Sequence, residues 1–230
     1  MFMNSFRTLC TKREHNLRVL LLLMIFCFEM EVFINVGDLG FQYLYLRRKL
    51  DWDIIDYTTY TIVAGMIGLT AQYIIVPILS EKLNLRDSTI IIIEITGCFI
   101  QTIILSTATA TWMVYLAVFI AFLDFTSMSM IRCMISKNVR PDEVGKILSF
   151  AGAVQAFIPI ISSPMFGMIY KSTVKTLPQA YLIVLLCLFF IDWCVLIYID
   201  RGIRRMNLMK IAQTSDNREK EKELSNSLNL

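Results

Sequence analysis

Arg132, Asp124 and a row of polar residues from Glu31 to Asp38 stand inside stretches that are otherwise apolar. A central Asp or Arg in a membrane span costs about 2.5–3.5 kcal/mol on insertion scales, so such groups face protein or water rather than lipid. Asn35 and Asp38 lie four and seven residues beyond Glu31, and seven residues fall only about 20° short of two helical turns. The three form a stripe along one helix face, the pattern expected of a wall of an aqueous cavity. Gln42 extends the stripe if the helix continues. Glu29 falls roughly on the other side, where a neighbouring helix is expected to pair with it. The competing reading of the stripe is hydrogen bonding between helices, without transport.

Asp124 and Arg132 share another stretch, with Thr126, Ser127 and Ser129 between them. On a helix, eight residues set the two charges about 80° and about 12 Å apart, too far to pair directly. Each therefore needs another partner or water. A guanidinium forms bidentate bonds to carboxylates and phosphates, which makes Arg132 a candidate ligand for an anionic solute. The alternative is an anchor at the cytoplasmic edge, since Lys137 and Arg140 follow closely. Gln155 is the long polar side chain on a face otherwise made of Ser149, Gly152, Pro159 and Ser163. Arg132, Glu31, Asn35, Asp38, Asp124 and Gln155 form the candidate substrate-binding or cavity-lining set. Glu94 and Asp192 are isolated acids and weaker candidates, Glu94 because its place one and a half turns inside a span brings it near the interface.

Nothing in the chain points to catalysis. It has no HExxH, Walker A, GxSxG or Rossmann fingerprint, and its single histidine, His15, precedes the first apolar stretch. No cofactor, metal site or enzymatic activity is expected. The six cysteines, Cys10, Cys27, Cys98, Cys133, Cys187 and Cys194, form no CxxC pair and read as small buried hydrophobes.

The elements that must position these groups are membrane spans. Apolar residues make up 56% of the chain and charged residues 18%, against roughly 45–50% and 25% in soluble domains. Crossing a hydrocarbon core of about 30 Å takes roughly 20 apolar residues in a helix. Six stretches satisfy this, at about 17–38, 58–80, 88–107, 112–135, 147–170 and 178–199. The expected fold is therefore all-α, a polytopic bundle of six transmembrane helices over residues 17–200. Residues 1–16 form a polar N-terminal lead, and residues 201–230 a polar tail expected to be disordered.

With both termini on one side, 17 of the Lys and Arg residues fall on that side and 5 on the other. The positive-inside rule then places both termini in the cytoplasm. The basic residues flank spans instead of lining one face, so nucleic acid is not an expected partner. The first stretch is read as a retained span, because Glu29 and Glu31 interrupt it and no small-residue cleavage site follows. The longest outward loop is expected at 39–57, and the other outward connections are short.

Beyond these physical readings, the segment from Ser127, SMSMIRCMISKNVRPDEVGK, resembles the C-terminal half of the proton-coupled folate transporter family. That group, within the major facilitator superfamily, includes heme-carrier-like and thymic stromal cotransporter-like members. The matching pieces are Arg132, Ser136-Lys137, Pro141 to Lys146, and a Ser-Pro break followed by Tyr170-Lys171. Tyr43 to Tyr57, YLYLRRKLDWDIIDY, is similar to the family's outward loop after its seventh helix, and Ser80 to Arg86, SEKLNLR, to the basic inward loop of such halves. The resemblance implies a twelve-helix fold of two six-helix halves rocking around a central cavity, each half an inverted three-plus-three repeat. It also implies that Arg132 lines the cavity, with Glu31, Asn35 and Asp38 contributing from the first helix of this half. The seventh-helix histidine of the proton-linked folate carriers has no counterpart in any span here.

These observations lead to the expectation of a solute-carrier chain, or its C-terminal half, moving a small organic anion, folate-like or otherwise, by alternating access. Proton-coupled symport is the implied mode. Its expected surroundings are the lipid bilayer of the plasma membrane or lysosome, with a second six-helix half or a homodimer closing the cavity. The other reading is a truncated, non-transporting membrane protein that associates with a full-length transporter or receptor, suggested by the short lead before the first span.

Overall fold

Long apolar runs bounded by polar turns become helices here because lipid offers no hydrogen-bond partners to the backbone. The computed structural model describes residues 17–124 and 126–228, and these form a bundle of helices with no strand among them. The helices are α1 (Leu17–Leu50), α2 (Ile54–Thr70), α3 (Asp87–Thr107), α4 (Thr111–Ile120), α5 (Thr126–Asn138), α6 (Pro141–Gln155), α7 (Ile158–Thr173) and α8 (Ala180–Leu228). Five continuous helical stretches are long and apolar enough to cross a membrane: Leu17–Leu50, Ile54–Lys82, Asp87–Thr107, Pro141–Thr173 and Ala180–Met206. The chain is a multi-pass integral membrane protein.

The fourth expected span, 112–135, is not one helix. It is the pair α4 and α5, separated by tight turns in which Asp124 N donates to Ala121 O at 2.9 Å. The fifth has a milder break, with Phe157 N donating to Val154 O and Pro159 placed in the first turn of α7. There the absent proline N–H costs nothing. The second span continues past Thr70 through two wide, π-type turns, Ala71–Ile75 and Ile78–Lys82, on either side of Pro77. Proline lacks the donor for its turn and crowds the carbonyl four residues back, which explains the distortion.

α1 is the central helix, with buried residues around most of its circumference, and it packs against α5, α7 and α8. Phe166, fully buried on α7, lies over Gly37, where a Cβ would collide with the ring. α3 packs against α4, α5 and α8. The stretches Ile54–Lys82 and Pro141–Thr173 are the least buried of the five, with Ile62, Met66, Tyr73, Phe157, Ile160 and Ile161 among their exposed apolar side chains.

The charge-rich segment 39–57 is not an outward loop. α1 runs on to Leu50, and only residues 51–53 connect it to α2. Lys49 makes this possible by donating to Ser106 O at 2.6 Å and to Tyr45 Oη at 2.7 Å. Its long stem lies along apolar surface while its ammonium reaches polar oxygens. Asp51 turns the chain with φ 52°. Asp53 then caps α2, its Oδ1 accepting from Ile54 N at 2.7 Å, while Asp56 Oδ2 accepts from Asp53 N at 3.1 Å. Trp52, Tyr60 and Tyr115 pack ring against ring beneath this turn.

At the opposite end, buried Asp200 of α8 accepts from Ser88 Oγ at 2.6 Å and from Arg204 Nε at 2.6 Å. The backbone of α8 is helical through Leu228, where composition had suggested an irregular tail. Residues 1–16, including the expected polar lead, lie outside the described residues. Of the cysteines expected to be buried, Cys27 and Cys98 are, whereas Cys187 and Cys194 face outward from α8. A position on a surface turned to lipid suits a small apolar side chain equally well.

Candidate functional site

α1 continues beyond Asp38, so its polar stripe extends to Gln42, and around that stripe a pocket of about 150 Å³ opens. Asn35, Asp38 and Gln42 form one wall; Tyr60, Thr61, Gly65 and Gly68 of α2 form another. Gln101 of α3 and Asp124, from the break between α4 and α5, close the far side. The small residues Ala64, Gly65 and Gly68 leave this space open, as residues of that size do where helices approach closely.

Hydrogen bonds fix the wall. Gln42 Nε2 donates to Asp38 Oδ2 at 3.2 Å and to Tyr60 Oη at 3.4 Å, while Tyr57 Oη donates to Gln42 Oε1 at 3.3 Å. Asn35 Nδ2 donates to Glu31 O one turn back, at 3.1 Å. Cys98 Sγ donates to Asp124 Oδ1 at 3.8 Å. Asp38 Oδ1 is shielded from solvent and takes no hydrogen bond from the described residues.

Arg132 is exposed on α5, its guanidinium 5.0 Å from the centre of the Phe28 ring on α1. Its Nη2 donates to Gln155 Oε1 at 3.4 Å, so two candidates from separate spans meet here. Ser129, one turn before Arg132, accepts from Gln72 Nε2 at 3.2 Å and ties α5 to the first π-type turn of the second span. Phe28 precedes Asn35 by seven residues, two turns on the same face of α1. Arg132 and the pocket therefore follow one another along a single face of the central helix.

Glu31 is not part of that wall. It is 5% exposed and turned into the bundle, where its carboxyl interacts with those of Asp192, Glu94 and Asp124. Asp192 of α8 is fully buried against Cys27 and Glu31, and neither of its oxygens receives a well-formed hydrogen bond from the described residues. Glu94, set aside on sequence because of its depth, is 3% exposed and accepts from Thr126 N at 3.0 Å through Oε1. It thereby serves the first amide of α5 at the break. Gly97, one turn along the same face of α3, gives the break room, since a Cβ there would stand 3.1 Å from Ile120 O. Glu29 does not find the expected partner among the described residues: both of its oxygens are shielded and take no hydrogen bond.

Acids from α3, α8 and the break thus lie within electrostatic reach of Glu31 of α1, and Asp38 lies within reach of Asp124. Sequence reasoning had Asp192 and Glu94 as isolated, because helix spacing reveals neighbours on one helix and not across four. No group of three His, Cys, Asp or Glu side chains among the described residues is placed to hold a metal ion.

No protein-family model matches the chain. It is 25% identical over 183 residues to a Drosophila melanogaster protein, "Probable peptidoglycan muropeptide transporter SLC46". The chain is similar to a membrane transporter. The match covers 78% of the chain but only 35% of the fly protein, so the chain spans about a third of that relative's length. The matched stretch is long enough to take in most of the bundle that carries the pocket and Arg132.

Proposed function

We propose that the chain is a solute carrier's six-helix half and moves a small organic anion across a membrane by alternating access. One observation carries this reading: a polar pocket at membrane depth, lined by Asn35, Asp38 and Asp124, follows Arg132 and Gln155 along one face of the central helix. Polar groups at that depth are retained where they face water or protein, and a solute path supplies water. Arg132 is the ligand for the solute's carboxylate or phosphate, and Gln155 holds the guanidinium toward the open side. The solute is folate-like or, by analogy with the fly relative, a muropeptide. A second six-helix half, on another chain or in a homodimer, covers the open side of α2, α6 and α7.

The buried carboxyls of Glu31, Glu94 and Asp192, with the half-buried Asp124 near them, support proton-coupled symport. An uncompensated charge in such a place is costly, and reversible protonation is the chemistry a chain of acids can perform. Both termini are cytoplasmic in this reading, in the plasma membrane or the lysosomal membrane. A second reading draws on the exposed apolar faces of α2 and α7: the chain associates with a full-length transporter or receptor and carries nothing itself.

The deciding experiment is uptake of labelled folate and labelled muropeptide into vesicles containing the chain, with and without Arg132→Ala and Asp38→Ala. Transport predicts that both variants assemble normally and abolish uptake. Loss of assembly in the variants, with no accumulation by the wild type under any pH gradient, favours the association reading.

A further inference from the structure

Away from the polar pocket, a groove of about 490 Å³ runs between the start of α1 and α8, beside Asp200. Leu20 and Met206 are buried in its lining, while Val19 and Met209 stand partly open. Gly202 brings the two helices together here, since a Cβ on it would stand 2.5 Å from Leu20 Cδ2. Tyr198, Arg201, Arg205 and Met209 follow at intervals of three and four residues, which sets them on one face of α8.

The charge of this groove is one-sided. Arg201 and Arg205 are exposed in its lining, and no Asp or Glu is among the described residues around it. Neither guanidinium belongs to an ion pair among the described residues. The acid next in sequence, Asp200, is already engaged by Ser88, Arg86 and Arg204. Like charges four residues apart on a helix repel each other, and an anion seated between them removes that repulsion.

Position decides the kind of anion. Both arginines fall in the last two turns of Ala180–Met206, a stretch long and apolar enough to cross the membrane. The end of such a stretch lies at the level of the lipid headgroups. Tyr198, 60% exposed and one turn toward the bilayer, has the place where tyrosine collects at membrane interfaces. A free phosphate has no use for the apolar Val19 and Leu20 beside the arginines. A phospholipid matches both surfaces, with a charged group for one and an acyl chain for the other.

We infer that this groove binds an anionic phospholipid, its phosphate on Arg201 and Arg205 and an acyl chain along the apolar side chains of α1. The planar fork of a guanidinium suits the two free oxygens of a phosphodiester, and basic recesses between helices at the membrane surface are where acidic headgroups bind. The lipid joins the start of α1 to the far end of α8, whether or not the chain carries a solute.

The test is native mass spectrometry of the full chain in detergent, with dioleoylphosphatidylglycerol and dioleoylphosphatidylcholine added in equal amounts. The two lipids share their acyl chains and phosphate, but choline cancels the phosphate charge. The first bound lipid should be phosphatidylglycerol by about tenfold over phosphatidylcholine, the effect of one charge-assisted contact. Arg201→Gln combined with Arg205→Gln should bring the two lipids to parity. Arg47→Gln combined with Arg48→Gln removes the same charge from exposed residues in the last turn of α1 and should leave the preference intact. An excess of inorganic phosphate should not displace the lipid.

Equal retention of the two lipids by the wild type overturns the site, and that comparison needs no variant to fold. An equal loss of preference in both pairs of substitutions also overturns it, because overall charge would then be enough. Displacement by inorganic phosphate would make the ligand a free anion and overturn the lipid assignment.

Discussion

Glu94 Oε1 accepts the backbone N–H of Thr126 at 3.0 Å, joining α3 to the first residue of α5. The same N–H also reaches Leu123 O at 3.0 Å, so the bond is shared. At this depth the exposed amides of a helix start have no water to turn to, and a side chain from the neighbouring helix takes that role.

Glu94→Gln keeps an oxygen acceptor for Thr126, whereas Glu94→Leu removes it. The Leu variant should be less stable than the Gln variant by about 1–3 kcal/mol, the cost of a buried amide losing its partner. Thermal unfolding of both variants in the same detergent checks this. Equal stability would mean that Leu123 O alone satisfies the break.

Gly37 offers a packing test. A Cβ at this position would overlap the Phe166 ring, while nothing lies within 4 Å of the corresponding point at Gly40. Gly37→Ala should destabilise by about 1–3 kcal/mol through overpacking. Gly40→Ala should be neutral or slightly stabilising, because alanine favours the helix by up to about 1 kcal/mol. Phe166→Leu in the Gly37→Ala background should restore part of the loss, and no recovery would place the strain elsewhere.

Ser88 and Arg204 converge on the two oxygens of Asp200. Ser88→Ala should cost about 1–2 kcal/mol, since it leaves a buried carboxylate oxygen short of a donor. The double variant Ser88→Ala with Asp200→Asn should lose less than the sum of the singles, with a coupling of about 0.5–2 kcal/mol. Additive losses in chemical unfolding would show that the two side chains act independently.

Lys137 donates to Asp87 Oδ2 at 2.5 Å, and this hydrogen bond lifts the lysine above its ordinary value, with partial burial pulling the other way. A raised lysine contributes its stability in full below the ordinary lysine value and loses it as pH climbs through the folded value. The gap between wild type and Lys137→Met should therefore be flat across neutral pH and close only in strong alkali. Its size should stay within about 1 kcal/mol, because the pair is exposed, and it should shrink with added salt. A gap that changes between pH 5 and pH 8 would point to a different group.

The run length of apolar residues was enough to place five of the six expected spans, because a bilayer imposes a length on whatever crosses it. The break near Asp124 was not legible as a break: Asp124, Thr126, Ser127 and Ser129 read equally well as a polar face on an intact helix. Only the contact with Glu94 distinguishes the two, and it joins residues 32 apart in sequence. The segment Arg47 to Asp56 misled for a related reason. Charge density signals an end to a span unless a long stem can carry the charge to an acceptor, as Lys49 does at Ser106. Within the candidate set, helical periodicity found Asn35 and Asp38 on the pocket wall and Gln42 beyond them. It could not tell that Glu31, one turn earlier, faces Asp192 instead.

The division of residues 112–135 into α4 and α5 also bears on how the protein is made. Ten residues of α4 rise about 15 Å, half the thickness of the hydrocarbon layer. α4 alone is too short to cross that layer, and the first residues of α5, Thr126 and Ser127, are buried against the bundle. α3 leaves the ribosome earlier and brings Glu94 with it. The order of synthesis therefore delivers the acceptor before the amide that needs it.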